Sequence, residues 1–505
     1  MEFDYRILFG VCILVIVSLS IMAKSKKMKK TVAKKKVATR PKKISKPVRK
    51  ISMRPAKVKK AEQQSEEELL MQPPRGMRDL LSGDQPYWNQ LRRVISRIAL
   101  EYGFGRIDTP VVEYANLFIR SIGKGTDIVD KEMYIFSSKG GDKLALRPEM
   151  TASIGRAYIQ HGMNVLSKPV KLFSTGPVYR YDRPQEGRYR EHFQANFDAF
   201  GEQDPILDAQ LIQLAHRIVT SLGIKNIQFQ VNSIGCPKCR KEYQELLVAY
   251  FESKKQKLCQ NCKKRLETNP LRILDCKEDK CIQVAATAPQ SIDRLCVECR
   301  VHFKSLLEYL DELELPYMIN PRLVRGLSYY TKTVFEIWSG EEDQRKYSLG
   351  GGGRYDYLIG ELGGEHTPAV GFGVGMDRLI AEMKRVHAKM YVEPKPRVFL
   401  AQLGDLAKKK SLRVFAELQK NGILTAESFG RGSLKSQLRL ADRLGVEITL
   451  IVGQKEALDE TIIVKDMVSG TQETVTKEKL IYAVKKILKN NVVVSHEGGE
   501  QENDK

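Results

Sequence analysis

Arginine, glutamine and aspartate gather in one stretch, residues 172–201, L-F-S-T-G-P-V-Y-R-Y-D-R-P-Q-E-G-R-Y-R-E-H-F-Q-A-N-F-D-A-F-G. In its second half Phe193, Ala195, Phe197 and Ala199 alternate with His192, Gln194, Asn196 and Asp198. That is the period of a strand with one apolar and one polar face. The first half reads as a second strand ending near Arg180. A charged loop over 182–191, with Pro184 and Gly187, joins the two into an antiparallel hairpin. The polar face carries Arg180, Gln194 and Asp198, and the loop carries Arg183, Gln185, Arg188 and Arg190. A guanidinium beside a carboxylate and an amide suits a ligand with both a phosphate and an amine. A solvated edge hairpin shows the same pattern, and on the hairpin alone that plainer reading leads.

Two later stretches have comparable chemistry. R-L-V-R-G-L-S-Y-Y at 322–330 places Arg325, Tyr329 and Tyr330 ahead of an apolar strand at 334–337. S-L-G-G-G-G-R-Y-D at 348–356 sets four glycines before Arg354 and Tyr355. Glycines let backbone and ligand approach closely, although a flexible turn explains most such runs. In T-P-A-V-G-F-G-V-G-M-D-R-L-I, 367–380, a strand with Gly371, Gly373 and Gly375 meets a helix whose first turn carries Arg378. Interior glycines weaken a strand, so three on one face point to a flat slot for a planar ring such as a purine.

Eight of the nine cysteines fall in 233–315, a densely charged segment that reads as an insertion. They form C-x-x-C pairs at Cys236/Cys239, Cys259/Cys262 and Cys296/Cys299, with Cys276 and Cys281 between. In a cytosolic chain this pattern argues for zinc before disulfides. The pairs Cys236/Cys239 and Cys259/Cys262, nineteen residues apart, match the spacing of one four-cysteine zinc site. The alternative is an array of reduced thiols, since eight cysteines overfill a single tetrahedral site.

The surrounding elements follow from periodicity. Residues 87–102 place Trp88, Leu91, Val94, Ile95, Ile98 and Ala99 at helical spacing, ended by Gly103 and Gly105. Residues 106–113 read as a strand interrupted by Pro110, which argues for an edge or an interface. A short strand at 143–147 runs into Pro148, Glu149, Met150 and Thr151; Thr151 can cap the helix that follows. From 395 to 488 strands and helices alternate, with strands at 398–403, 423–428 and 446–452, the pattern of a small doubly wound sheet. Arg431, Lys435, Arg439 and Arg443 lie on or beside its second helix.

The chain's 505 residues are enough for two to four domains, and the net charge is +23. Eighteen Lys or Arg and no Asp or Glu lie between positions 24 and 60, which leaves about +5 for everything else. Such a block is expected to stay disordered and to attract polyanions, nucleic acid or an anionic membrane surface. Residues 7–22 are apolar but marginal in length for a span. They read either as an anchor or as an extension upstream of a start at Met22. The Lys cluster follows the apolar run, which is not the order of a secretory signal, and the second reading is preferred because nothing later looks membranous; membrane contact is therefore not expected.

On these residues the chain resembles the class II aminoacyl-tRNA synthetases. The hairpin with Arg180 resembles their motif 2, the glycine strand with Arg378 their motif 3, and 106–113 their dimer-forming motif 1. L-V-R-G-L-S-Y-Y, G-G-R-Y-D and L-R-P-E-M-T at 146–151 resemble signatures of the histidyl-tRNA synthetases. The resemblance runs from about 73 to 488. It implies an α+β catalytic domain on an antiparallel sheet at 73–390, with the Cys-rich insertion 233–315 inside it, and an α/β anticodon-binding domain at 395–490. These follow an apolar segment 1–22 and a basic tail 23–72, with an acidic tail at 491–505.

The implied activity is histidine activation by ATP with Mg²⁺, then transfer to the histidine tRNA, in a cytoplasmic homodimer. Histidine would contact Glu149, Met150, Thr151, Arg180, Gln194, Asp198, Arg325, Tyr329, Tyr330 and Tyr355, with Tyr330 and Tyr355 lining the imidazole pocket. ATP would meet Arg180, Arg188 and Arg378, with Arg325 and Arg180 as the catalytic pair. Arg183, Gln185, Arg190 and Arg439 would face tRNA, and the basic tail would contact RNA. Three positions depart from the family pattern: Ser328 where an acid is usual, Asp377 where Glu is commoner, and Asp198 where many bacterial members have Glu. Two other functions compete: a synthetase-like regulatory subunit that senses histidine, and a non-catalytic RNA-binding or membrane-tethered protein. The Arg325 signature and the C-terminal domain argue against the first, and Arg180, Arg325 and Arg378 together against the second.

Overall fold

The computed structural model describes residues 71–497 apart from 124, 183–186, 341–347, 389, 391–393 and 431, with side chains as far as 489. The readings of the apolar segment, most of the basic tail, Arg183, Gln185 and Arg431 lie outside these residues. No helix among the described residues is long and apolar enough to cross a membrane.

Among the described residues eleven strands precede position 376: β1 Gly105–Arg106, β2 Val112–Tyr114, β3 Ile135–Ser137, β4 Lys143–Leu146, β5 Val170–Tyr179, β6 Glu191–Phe200, β7 Ile227–Ser233, β8 Tyr317–Ile319, β9 Thr331–Ser339, β10 Gly350–Arg354 and β11 Ala369–Gly375. Eight of them form one sheet in the order β1-β5-β6-β11-β10-β9-β7-β8. It is antiparallel except at its edges, where β1 runs parallel to β5 and β8 to β7. The expected hairpin is β5–β6, with Phe173 opposite Phe197 and Tyr179 opposite Glu191.

One face of this sheet is covered by the helices Gln85–Glu101 and Ile206–Ser221. The six apolar residues expected on the first helix are all buried. They pack with Phe197, which stacks on Phe372 at 4.9 Å and on Phe173 at 5.8 Å. The opposite, polar face of β6 is buried as well, so the solvated-edge reading fails: Asn196 and Asp198 are enclosed.

Two expectations change here. The single strand at 106–113 is two strands in two sheets. β1 joins the large sheet, and β2 joins the three-stranded sheet β2-β4-β3. Pro110 lies between them, where a residue without an N–H ends one ladder. The glycine run is a central strand rather than a turn. A Cβ at Gly350 would fall 2.5 Å from the Gly373 carbonyl, and at Gly352 and Gly353 it would meet the carbonyls of Gly371 and Thr333. Neighbouring backbone uses the room these glycines leave.

The C-terminal unit has a five-stranded sheet, β13-β12-β14-β15-β16, made of β12 Val398–Gln402, β13 Thr425–Glu427, β14 Ile448–Val452, β15 Thr461–Asp466 and β16 Gln472–Thr476. Only β12, β13 and β14 are parallel; β15 and β16 extend the sheet as antiparallel strands. The last helix, Leu480–Glu497, carries the chain past position 490, where the sequence places the start of a tail.

Candidate active site

Asp198 lies near the end of β6 and is fully buried. Its Oδ1 accepts from the Tyr355 hydroxyl at 2.5 Å and from the Thr151 hydroxyl at 3.0 Å. Its Oδ2 is enclosed with no hydrogen-bond partner among the described residues, as is Oδ1 of Asn196. Buried acceptors rarely stay unpaired, so these two atoms mark a place for a donor-bearing ligand. Burial pushes the Asp198 carboxyl up to about 7, with nearby Glu149 adding to the rise and the two hydroxyl bonds opposing it.

The side of β11 that faces these atoms has no side chains. Gly371, Gly373 and Gly375 lie opposite Asp198, Asn196 and Gln194 in register. A Cβ at Gly371 would collide with the Tyr355 hydroxyl and come within 2.7 Å of Asp198 Oδ1; one at Gly373 would come within 3.1 Å of Asn196 Oδ1. The flat slot expected from the glycines is therefore filled, at Gly371, by the protein's own carboxylate and phenol.

Glu149, rather than Thr151, caps the helix Thr151–Gln160. Its two oxygens accept the N–H groups of Thr151 at 2.7 Å and Ala152 at 2.9 Å. A carboxylate two residues upstream spans both free donors, which leaves the Thr151 hydroxyl to turn towards Asp198. Burial raises the Glu149 carboxyl, and those backbone bonds and Arg180 counter the rise. Arg147 fixes this connection from below through bonds to the carbonyls of Pro177 and Thr109, both at 2.9 Å.

Tyr329, Tyr330 and Tyr355 close the same space, with ring centroids 4.8, 5.5 and 6.2 Å apart. Burial raises all three phenols, with Glu149 adding at Tyr329 and Asp198 at Tyr355. They therefore stay neutral and can donate or accept. Met150 is buried in the cluster that contains these rings.

The cations border this space. Arg180 donates to the Pro148 carbonyl at 2.8 Å. Arg378 donates to the Ser348 carbonyl at 2.6 Å. His192 has both guanidinium groups nearby. Burial and then those two charges press its pKa down to about 3, so it stays neutral. Arg325 pairs with Glu336 at 2.6 Å and approaches the Tyr330 ring at 5.7 Å. A Cβ at Gly351 would intrude 2.8 Å from this guanidinium. Asp377 ties the motif to the hairpin, accepting from Arg78 at 2.5 Å and from the Phe193 N–H at 2.7 Å.

The structure thus brings together Glu149, Met150, Thr151, Asp198, Tyr329, Tyr330 and Tyr355, with Gln194 half-buried farther along β6. Arg188 is exposed, 3.4 Å from Asp182. Arg190 lies over the Tyr181 ring at 3.6 Å, and Arg439 is exposed on the helix Leu434–Leu444 of the C-terminal unit. Sequence reasoning missed Glu336, Arg78 and Arg147. Glu336 had a signal, as the charged residue in the strand V-F-E-I-W.

The cysteines group differently from the expected single site. Cys236 and Cys239 converge with Cys296 and Cys299, whereas Cys259 and Cys262 converge with Cys276 and Cys281. The two expected pairs therefore belong to separate sets. The chain returns through Cys296/Cys299 at the base of the insertion, and sequence spacing does not report that return.

Comparison with known proteins matches this geometry. The family described as Histidyl-tRNA synthetase matches residues 76–379, and the one described as Anticodon binding domain matches 397–487. The histidine–tRNA ligase of Dehalococcoides mccartyi is 48% identical over 417 residues, 83% of this chain and 100% of that protein. That of Desulforamulus reducens is 41% identical over 82% of this chain and 98% of its own. The crystal structure of apo S. aureus histidyl-tRNA synthetase superposes with a TM-score of 0.67 at 32% identity, over 82% of this chain and 99% of that one. With the profile covering more than half its length and relatives aligned nearly end to end, the chain belongs to the histidyl-tRNA synthetase family.

Proposed function

We propose that the chain activates L-histidine with ATP to histidyl-adenylate and diphosphate, then transfers the histidyl group to the 3′ end of its tRNA. The observation that carries this reading is the enclosed, unpartnered Oδ2 of Asp198 between three neutral tyrosines and an arginine border. The α-ammonium of histidine supplies the missing donor to Asp198, with Glu149, Thr151 and Gln194 around it. The imidazole lies in the pocket that Tyr330 and Tyr355 line, with Tyr329 and Met150 beside it. Arg325 and Arg180 flank the histidine carboxylate, whose oxygen attacks the α-phosphorus as the bond to diphosphate breaks. Their charge offsets the negative charge that builds on the phosphoryl oxygens. Arg378 and Arg188 hold the triphosphate, and Mg²⁺ arrives with it, bound mainly by phosphate oxygens and water. In the second step the terminal ribose hydroxyl attacks the histidyl carbonyl and AMP leaves.

The C-terminal unit then reads the anticodon, with Arg439 on its exposed helix face, and Arg183, Gln185 and Arg190 meet the acceptor end. Val112, Tyr114, Ile135 and Phe136 are exposed on the sheet β2-β4-β3. That apolar surface supports a homodimer through this face. The reading makes the protein cytoplasmic. Histidine-dependent exchange of pyrophosphate into ATP, followed by charging of histidine tRNA, tests the activity. A histidine-binding chain that performs neither reaction would be a regulatory subunit instead.

A further inference from the structure

We propose that the insertion holds two separate zinc ions in nested tetrathiolate sites, and that the outer one fixes the tyrosine strap of the histidine pocket. In each set the four sulfurs lie within 4.8 Å of one another. Cys236 and Cys239 sulfurs are 3.6 Å apart, and those of Cys259 and Cys276 3.9 Å. A disulfide needs about 2.05 Å. Four thiolates about 2.3 Å from a single zinc stand about 3.8 Å apart at the corners of a tetrahedron. The spacing therefore suits one ion per set, and a multi-iron cluster would spread its thiolates wider.

The backbone supports the same state. The N–H of Cys296 donates to the Cys239 sulfur at 3.1 Å, and that of Cys259 to the Cys281 sulfur at 3.2 Å. Such donors stabilise a metal-bound thiolate and orient it. Cations flank both sets: Lys238 and Arg240 at the outer one, and Lys263, Lys264, Lys277 and Lys280 at the inner one. Two zinc ions with eight thiolates would carry net negative charge, which these residues offset. The inner set joins the helix Gln260–Thr268 to the helix Asp279–Ala285. The outer set joins the segment that leaves β7 to the start of the helix Val297–Glu312, and so closes the insertion at its base.

The link to the pocket passes through Arg240, next to Cys239. It donates to the Ser328 carbonyl at 3.2 Å and to that of Tyr330. Gly235, next to Cys236, accepts the Lys332 N–H at 2.9 Å. The outer site is therefore a positioning element for Tyr329 and Tyr330. This second half of the proposal rests on the histidine pocket described above.

Elemental analysis of the purified full chain, with zinc released to a colorimetric chelator, tests the sites without reference to activity. The unmodified chain is expected to carry one zinc per cysteine set, Cys281→Ser to keep only the outer ion, and Cys299→Ser only the inner. Cobalt(II) added to the metal-stripped, unmodified chain should give the absorption of tetrahedral tetrathiolate cobalt, which covers the case in which a variant does not fold. A folded, metal-free chain whose eight insertion thiols all react with a thiol reagent overturns the proposal, as does loss of both ions from either single variant that remains folded. In pyrophosphate exchange, Cys299→Ser should raise the histidine KM several-fold and leave the ATP KM unchanged, while Cys281→Ser moves neither. An unmoved histidine KM in a Cys299→Ser protein that has lost its outer ion overturns the positioning role. Failure of exchange in the unmodified chain would instead count against the proposed activity.

Discussion

Replacing Tyr355 with Phe removes one oxygen and should change how histidine binding depends on pH. In the structure that hydroxyl donates to Asp198 Oδ1 at 2.5 Å in a fully buried setting. A hydrogen bond to a charged group is worth about 1.5–3 kcal/mol, and one pKa unit corresponds to about 1.36 kcal/mol. Burial has already raised the carboxyl to about 7, and the Tyr355 bond is one of the contacts holding it down. Without that bond the value should climb by a further one to two units, as about 1.5–3 kcal/mol implies. The sign follows: a raised carboxyl is ionised only above its pKa, so its attraction for an ammonium is present at high pH and lost as pH falls. At about pH 7.5 the parent carboxylate is largely ionised and the variant's largely protonated. The histidine KM should rise about tenfold at that pH, the equivalent of about 1.4 kcal/mol, and recover in part as pH is raised. The ATP KM should stay within about twofold, because no phosphate contact is touched. The assay is pyrophosphate exchange at several pH values, with histidine and ATP varied separately. A variant whose histidine pH profile superimposes on the parent's would refute the reasoning, as would equal losses in both KM values.

Three further outcomes are expected. Arg325→Ala should lower the adenylation rate by about a hundredfold or more, with histidine binding by calorimetry largely kept; near-normal adenylation would remove its assigned role. Arg354→Ala should destabilise the fold by about 3–5 kcal/mol, because it leaves Asp208 charged and unpaired, read as a lower thermal midpoint. Arg354 and Asp208 are both wholly buried and 2.6 Å apart, and the guanidinium also bonds the carbonyls of Glu202 and Asp204; a loss under about 1 kcal/mol contradicts that structural role. Deleting residues 1–60 should leave adenylation unchanged but flatten the salt dependence of tRNA binding, since counterion release scales with cationic contacts, and an unchanged slope would show that the tail does not touch tRNA.

The hairpin, the first helix and the strands β12, β13 and β14 were legible from sequence because each carries its own periodicity and ends in its own turn chemistry. Asp198, Tyr329, Tyr330 and Tyr355 were legible as site residues only through resemblance, since polar faces look alike whether they meet water or a ligand. Long-range pairing was hidden. Nothing near Cys236 announces Cys299, and although Glu336 stands out as the charge in its strand, nothing near Arg325 names it as the partner. The role of Thr151 was misread because a cap rule looks at the residue beside the helix, while Glu149 reaches in from two residues earlier. The glycine run misled in the other direction. Locally it reads as freedom, but between β9 and β11 it is the only residue type whose backbone can lie so close to its neighbours.

The strand order also sets a schedule for synthesis. β6, which carries Asp198, pairs on one side with β5 just before it and on the other with β11. The ribosome completes β6 at Phe200 but reaches β11 only at Ala369. At about 5–20 residues per second, the edge of β6 waits on the order of ten to thirty seconds for its partner. During that interval Ala195, Phe197 and Ala199 lie on a hairpin with an open, hydrogen-bonding margin, the kind of edge that recruits other chains. The strand that carries Asp198 is thus also an open edge of the nascent chain, and chaperone occupancy on translating ribosomes should rise while residues 201–368 are being made.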